Sequence, residues 1–133
     1  MQPKKILIVD DSKVAAMTQQ LILRSLKQCE VITAEDGIKG VEKAVAEQPD
    51  LILMDVVMPR MNGFEAVRLI RGHEATENIP IIMVTTRSES AHVDEGFASG
   101  CDDYVYKPID AAELLEKIAK LEDVHTLADD RQR

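Results

Sequence analysis

Short apolar runs alternate with segments of helical periodicity along this chain. Ile6-Leu7-Ile8-Val9 stops at Asp10-Asp11, Leu51-Ile52-Leu53-Met54 stops at Asp55, and Ile81-Ile82-Met83-Val84 stops at Thr85-Thr86. Tyr104-Val105-Tyr106 ends on Lys107-Pro108, and residues 29–34 form a further β-branched segment. Four-residue apolar runs bounded by polar residues predict strands buried on both faces of a parallel sheet. The intervening segments predict helices. Ser12 is placed to cap the first, with Val14, Met17, Leu21 and Ile22 at the spacing of an inward face. Ile38, Val41 and Val45 mark a second, and Ala66, Val67 and Ile70 a third between Phe64 and Arg71. Ser88 is placed to cap a weaker fourth helix, with Val93 and Phe97 as its main apolar pair. Asp110 and Glu113 form a capping-box pattern before Leu114, Leu115, Ile118 and Leu121, a clear amphipathic fifth.

A β-α unit repeated five times predicts an open α/β sandwich of three layers, a (βα)5 arrangement with helices on both faces. Right-handed crossovers make its sheet parallel. Asp36-Gly37 and Asn62-Gly63 are hairpin dipeptides by type. Each opens onto a helical pattern, so both are read as strand-to-helix turns in which glycine supplies a positive φ. The predicted domain covers residues 1–121. Residues 122–133 read as a polar tail, frayed over 129–133.

Composition narrows the class. With 133 residues, 45% hydrophobic and 30% charged, the chain has the balance of one globular domain. No apolar run is long enough to span a bilayer, and Lys4-Lys5 precedes only four apolar residues, so neither a membrane span nor a signal peptide is expected. A net charge of −8 argues against direct nucleic-acid binding. Cys29 and Cys101 lack metal-ligand or redox spacing and read as small apolar residues of a cytoplasmic protein. His73, His92 and His125 form no ligand pattern and are expected at the surface.

Parallel sheets collect ligands at the carboxyl ends of their strands. That edge receives Asp10, Asp11, Asp55, Thr85 and Lys107. Two carboxylates 4 Å apart repel by roughly 4 kcal/mol at an effective dielectric near 20. Lys107 offsets part of this, and Mg²⁺, which takes a few carboxylates and keeps several waters, suits the remainder. A carboxylate beside a divalent ion and an ammonium can attack a phosphoryl group while the cations neutralise its equatorial oxygens. Thr85 is placed to hydrogen-bond one product oxygen.

Asp10-Asp11, the stretch Asp55-Val56-Val57-Met58-Pro59-Arg60-Met61-Asn62-Gly63, Thr85, and Asp102-Asp103-Tyr104-Val105-Tyr106-Lys107-Pro108 together closely resemble the receiver domain of two-component response regulators. The resemblance covers residues 4–121. It implies a flavodoxin-like fold with strand order 2-1-3-4-5 and phosphorylation of an aspartate by a partner histidine kinase. Asp55 then corresponds to the phospho-acceptor and Asp11 to a direct Mg²⁺ ligand, with Asp10 holding metal-bound water. Val57 contributes its backbone carbonyl to the metal, and Lys107 contacts the phosphoryl group, before a cis Pro108. Thr85 and Tyr104 correspond to the switch pair, which reshapes the surface of the fourth and fifth helices. Thr86 replaces the usual alanine or glycine, Arg87 follows it, and Cys101 replaces a usual alanine. Val57 and Thr86 predict slow self-hydrolysis, because valine cannot orient a water and threonine narrows its approach.

The expected partners are a sensor histidine kinase and a downstream output protein. Alternatives with the same signature are a phosphorelay intermediate serving a histidine phosphotransfer protein, and the receiver portion of a longer transcriptional regulator. An aspartyl phosphatase fits less well, since Ser12 stands where a second acid is expected. A flavin carrier lacks its glycine- and hydroxyl-rich cradle here.

Overall fold

The computed structural model describes residues 3–86 and 97–132, with side chains of the last helix described as far as Leu121. The elements are β1 (Lys5–Val9), α1 (Lys13–Leu23), β2 (Glu30–Ala34), α2 (Gly37–Glu47), β3 (Leu51–Asp55), α3 (Gly63–Arg71), β4 (Ile81–Thr86), β5 (Asp103–Lys107) and a C-terminal helix (Ala111–Gln132). The five strands pair in the order β2-β1-β3-β4-β5, and every pairing is parallel. This is the sheet expected of the flavodoxin-like fold. Residues 97–99 are helical, whereas Arg87, Ser88, His92 and Val93 lie outside the described residues. So do the side chains of His125 and of the 129–133 tail, although the backbone stays helical as far as Gln132.

Strand alternation splits the core into two layers. Leu7, Val9, Ile52, Met54, Ile81 and Met83 face α2 and α3, where Ala44, Phe64, Ala66, Val67 and Ile70 close over them. Ile6, Ile8, Leu51, Leu53, Ile82, Val84 and Val105 face α1 and the C-terminal helix, meeting Ala16, Leu23, Leu114 and Ile118. Burying each large aliphatic side chain is worth about 1.5–3 kcal/mol, so the two layers supply most of the drive to fold. Continuing the alternation by one step places Asp10, Asp55 and Lys107 on the α1 side at the carboxyl edge.

Ser12 and Asp110 cap their helices as predicted, and Asp36 and Asn62, read from the sequence only as turn residues, prove to be caps as well. Ser12 accepts from Ala15 N, Asp36 from Lys39 N, Asn62 from Glu65 N, and Asp110 from Glu113 N. The face predicted for α3 is the buried one.

Two expectations are corrected. On α1 the buried residues are Ala16, Gln19 and Leu23, while Val14, Met17 and Leu21 are 75%, 59% and 58% exposed. Of the predicted face only Ile22 packs against the core. Apolar bulk points to one stripe of this helix, but close approach to the sheet favours alanine, and the position above Asp10 favours a donor. The second correction concerns glycine. Among the described glycines only Gly100 has a positive φ. Gly37 and Gly63 are the first residues of their helices, and what they need is space. A Cβ at Gly37 would lie 2.8 Å from the Met61 carbonyl oxygen, and one at Gly63 would collide with that of Asp55.

Candidate functional site

The carboxyl edge brings Asp10, Asp11, Asp55 and Lys107 together. Asp10, Asp11 and Asp55 offer carboxylate oxygens that all lie within 4.8 Å of one another. Asp10 and Asp55 are 4% and 5% exposed, and Asp11 is on the surface. Lys107, last residue of β5, places Nζ 3.1 Å from Asp10 Oδ2 and 3.3 Å from Asp55 Oδ1. The Lys107–Pro108 peptide is cis. Asp10 is fixed further by Ser12 N, which donates to Oδ1 at 2.9 Å, and by Gln19 Nε2, which donates to Oδ2 at 3.2 Å.

Electrostatics follow from this crowding. Burial, then the charge of Asp10, push the Asp55 carboxyl up to about 7, against the pull of Lys107. Burial draws Lys107 down, but Asp55 and Asp10 outweigh it and hold the ammonium above its ordinary value. Three carboxylates therefore share one ammonium within a few ångströms. The donor set is all oxygen, compact and under-neutralised, which fits a small hard cation such as Mg²⁺.

The loop after β3 is held from outside the site. Asp36, buried at the start of α2, accepts from Arg60 Nη2 at 2.7 Å as well as capping α2. Arg60 has φ 68°, at the centre of a three-residue turn closed by Met61 N donating to Pro59 O at 2.7 Å. Val57, in the same loop, is 58% exposed. Thr85 is buried near the end of β4, and Thr86 is half-buried. Tyr104 stands apart from the carboxylates in an aromatic group. Its ring meets Phe97 and Tyr106 edge-on at 5.7 and 5.4 Å, with Lys117 Nζ 5.1 Å from its centroid. Its phenol is raised, first by a hydrogen bond shared with Tyr106.

Gln19 and the Arg60–Asp36 pair were not singled out by sequence. Gln19 lies at i+3 from Ala16 and four residues before Leu23, so the signal was a small–polar–large stripe opposite the larger apolar one. Of the residues expected to be inert, Cys101 is buried and its thiol is pushed up to about 11, mainly by burial. Cys29 is half-buried, and His73 is at the surface. Among the described residues no helix is long and apolar enough to cross a membrane.

Fold and site together define a doubly wound α/β protein with an acidic, lysine-bearing pocket at the carboxyl edge of its sheet. The chain belongs to the response regulator receiver domain family, whose model matches residues 6–119. Phosphorylation by a histidine kinase is the general function of that family. The chain is similar to Protein PilH of Pseudomonas aeruginosa, 40% identical over 114 residues covering 86% of this chain and 93% of PilH. It is 42% identical to hybrid signal transduction histidine kinase G of Dictyostelium discoideum over 85% of its own length, but spans only 3% of that protein. Among solved structures it resembles the receiver domain of a sensor histidine kinase from Pseudomonas aeruginosa PAO1, described with magnesium coordinated in the active-site cleft. The TM-score is 0.80 at 33% identity, covering 88% of this chain and 95% of that one.

Proposed function

We propose that this receiver domain takes a phosphoryl group onto Asp55 from the phosphohistidine of a partner kinase and signals through protein–protein contacts, without turning over a substrate as an enzyme. The observation that carries this is the position of Lys107 Nζ, in reach of both Asp10 and Asp55 beneath a cluster of three carboxylates. In the transfer an Asp55 Oδ–P bond forms as the donor's P–N bond breaks, and the leaving imidazole takes a proton from water. Lys107 pairs with one phosphoryl oxygen as charge builds there. Asp11, Asp55 and the Val57 carbonyl would hold Mg²⁺, and Asp10 would support it from beside them. The cation supplies neutralisation of the phosphoryl oxygens.

Thr85 and Tyr104 carry the response. A phosphoryl group adds nearly two negative charges and three acceptor oxygens. Thr85 turns toward it, and Tyr104 leaves its aromatic group to follow. The surface of β5 and the flanking helices then changes for an output protein. Val57 and Thr86 keep the acyl phosphate long-lived.

Incubation with a small acyl-phosphate donor and Mg²⁺ tests this by intact mass. The wild-type chain is expected to gain one phosphoryl group and Asp55→Asn none. Thr85→Ala is expected to gain it but to lose most amide shifts over residues 97–118. Full retention of the mass gain in Asp55→Asn would overturn the assignment.

A further inference from the structure

Gln19 is 1% exposed, in the stripe of α1 that packs on the sheet. Its Nε2 donates to Asp10 Oδ2 at 3.2 Å and to the Ala15 carbonyl at 3.2 Å. Both partners are acceptors, which fixes the amide with nitrogen toward Asp10. That orientation strands the other end. Gln19 Oε1 is the buried side-chain polar atom without a hydrogen-bond partner among the described residues. An unpartnered buried acceptor is destabilising, and an apolar side chain of the same shape would avoid the penalty. The core around it, Ala16, Leu23, Ile6 and Ile8, is apolar. Packing alone gives no reason for an amide at this position.

We propose that Gln19 is a positioning residue for phosphoryl transfer: it clamps the Asp10 carboxylate so that Asp10 presents a fixed oxygen to Lys107 and to the water of the bound cation. Asp10 sits where its Oδ2 is shared between Gln19 and Lys107, at 3.2 and 3.1 Å, while Ser12 N holds Oδ1. Without the amide, Oδ2 keeps only the ammonium, and the carboxylate is drawn wholly toward Lys107. That ammonium must also serve Asp55, 3.3 Å away. Gln19 thus leaves Lys107 available to the phosphoryl group. Partners one shell out from a metal commonly change affinity or activity by about 10–100-fold when removed. The lower end applies here, because Gln19 acts through a residue that itself acts through water.

The inference rests on the reading of Asp10, Asp11 and Asp55 as the Mg²⁺-dependent phosphorylation site. The experiment therefore carries its own control. Gln19→Met and Gln19→Leu each remove the donor and the stranded acceptor while keeping bulk. Phosphoryl uptake from a small acyl-phosphate donor is followed by intact mass across a Mg²⁺ titration, alongside thermal melting. The expected result is a melting temperature equal to or above wild type, with uptake slowed about tenfold. The double variant Asp10→Ala/Gln19→Met is expected to be no slower than Asp10→Ala alone, since the amide acts only through Asp10. Wild-type uptake in a folded Gln19 variant overturns the proposal. So does an additive loss in the double variant, or unfolding of both single variants, which would make Gln19 a packing residue. Asp11→Ala separates the two readings: unchanged Mg²⁺ dependence in that variant refutes the site itself, whatever Gln19 does.

Discussion

The two ends of the sheet hold charged groups of opposite character. At the amino edge, Arg71 of α3 donates to the carbonyls of Gly100, Glu77 and Ile79 and pairs with Asp102 at 2.9 Å. Asp102 in turn accepts from Ile81 N at 2.8 Å and ties the start of β4 to that of β5. One cation meets one anion, and the remaining donors end on backbone carbonyls. At the carboxyl edge, three carboxylates meet one ammonium. The first network is satisfied and serves as a joint. The second has unmet charge, and its shortfall is what a cation and a phosphoryl group can use. Charge balance, more than burial, separates a structural cluster from a chemical one in this fold.

The largest effect should come from breaking the balanced end. Arg71→Ala leaves three carbonyls and Asp102 without their guanidinium and should lower stability by roughly 2–4 kcal/mol. Denaturant melts would show this, while uptake of phosphate by the folded fraction stays at the wild-type rate. A slowed uptake would mean that the joint also shapes the far edge.

Next comes relief of the unbalanced end. Asp55 has a folded pKa of about 7, above its unfolded value. The group therefore supports folding below about pH 4, and that support is lost as pH rises through 7. In EDTA the wild-type chain should lose stability between pH 5 and 8. Asp55→Asn should be flatter across this range and roughly 1–3 kcal/mol more stable at pH 8. Thermal melts at the two pH values check this. An Asp55→Asn chain weaker than wild type at pH 8 would show that the edge is not strained by its charge.

The smallest effect sharpens the boundary. The Arg60–Asp36 pair is balanced one to one, yet lies in the loop next to the chemistry. By the rule above it should affect stability and not uptake. Arg60→Gly and Arg60→Ala both lose the pair, but glycine tolerates φ 68° and should be the more stable by about 1 kcal/mol. Equal melting of the two would show that φ at position 60 costs alanine nothing, and lost uptake in both would show that a balanced pair also serves the chemistry.

Most of the sheet was legible in the sequence because β1, β3 and β4 are short apolar runs ended by a polar residue of the site, and β5 ends on Lys107. That punctuation marks Asp10, Asp55 and Lys107 in the sequence. The caps Ser12 and Asp110 were legible too, whereas Asp36 and Asn62 were read as turn residues because the glycine after each drew attention to backbone φ and away from the side-chain oxygen before it. The face of α1 was not, because Val14, Met17 and Leu21 outweigh Ala16, Gln19 and Leu23 by any measure of bulk. Arg71 was hidden for a different reason. Its partners are mostly main-chain carbonyls, Glu77 and Ile79 just beyond its helix and Gly100 far along the chain, and carbonyls leave no trace in side-chain patterns.

The shared parity of pocket and core bears on folding fidelity. Asp10, Asp55 and Lys107 continue the same alternating set as Ile8, Leu53 and Val105. A one-residue slip of any of these strands would send its charged end to the opposite face while turning aliphatic side chains the wrong way. A chain trapped in such a misaligned state could not assemble the cluster and would have no use for the ion. A ligand that binds only the correctly threaded sheet draws the population toward it by mass action. Mg²⁺ added during renaturation would then act as a proofreader, enriching chains whose strands are in step.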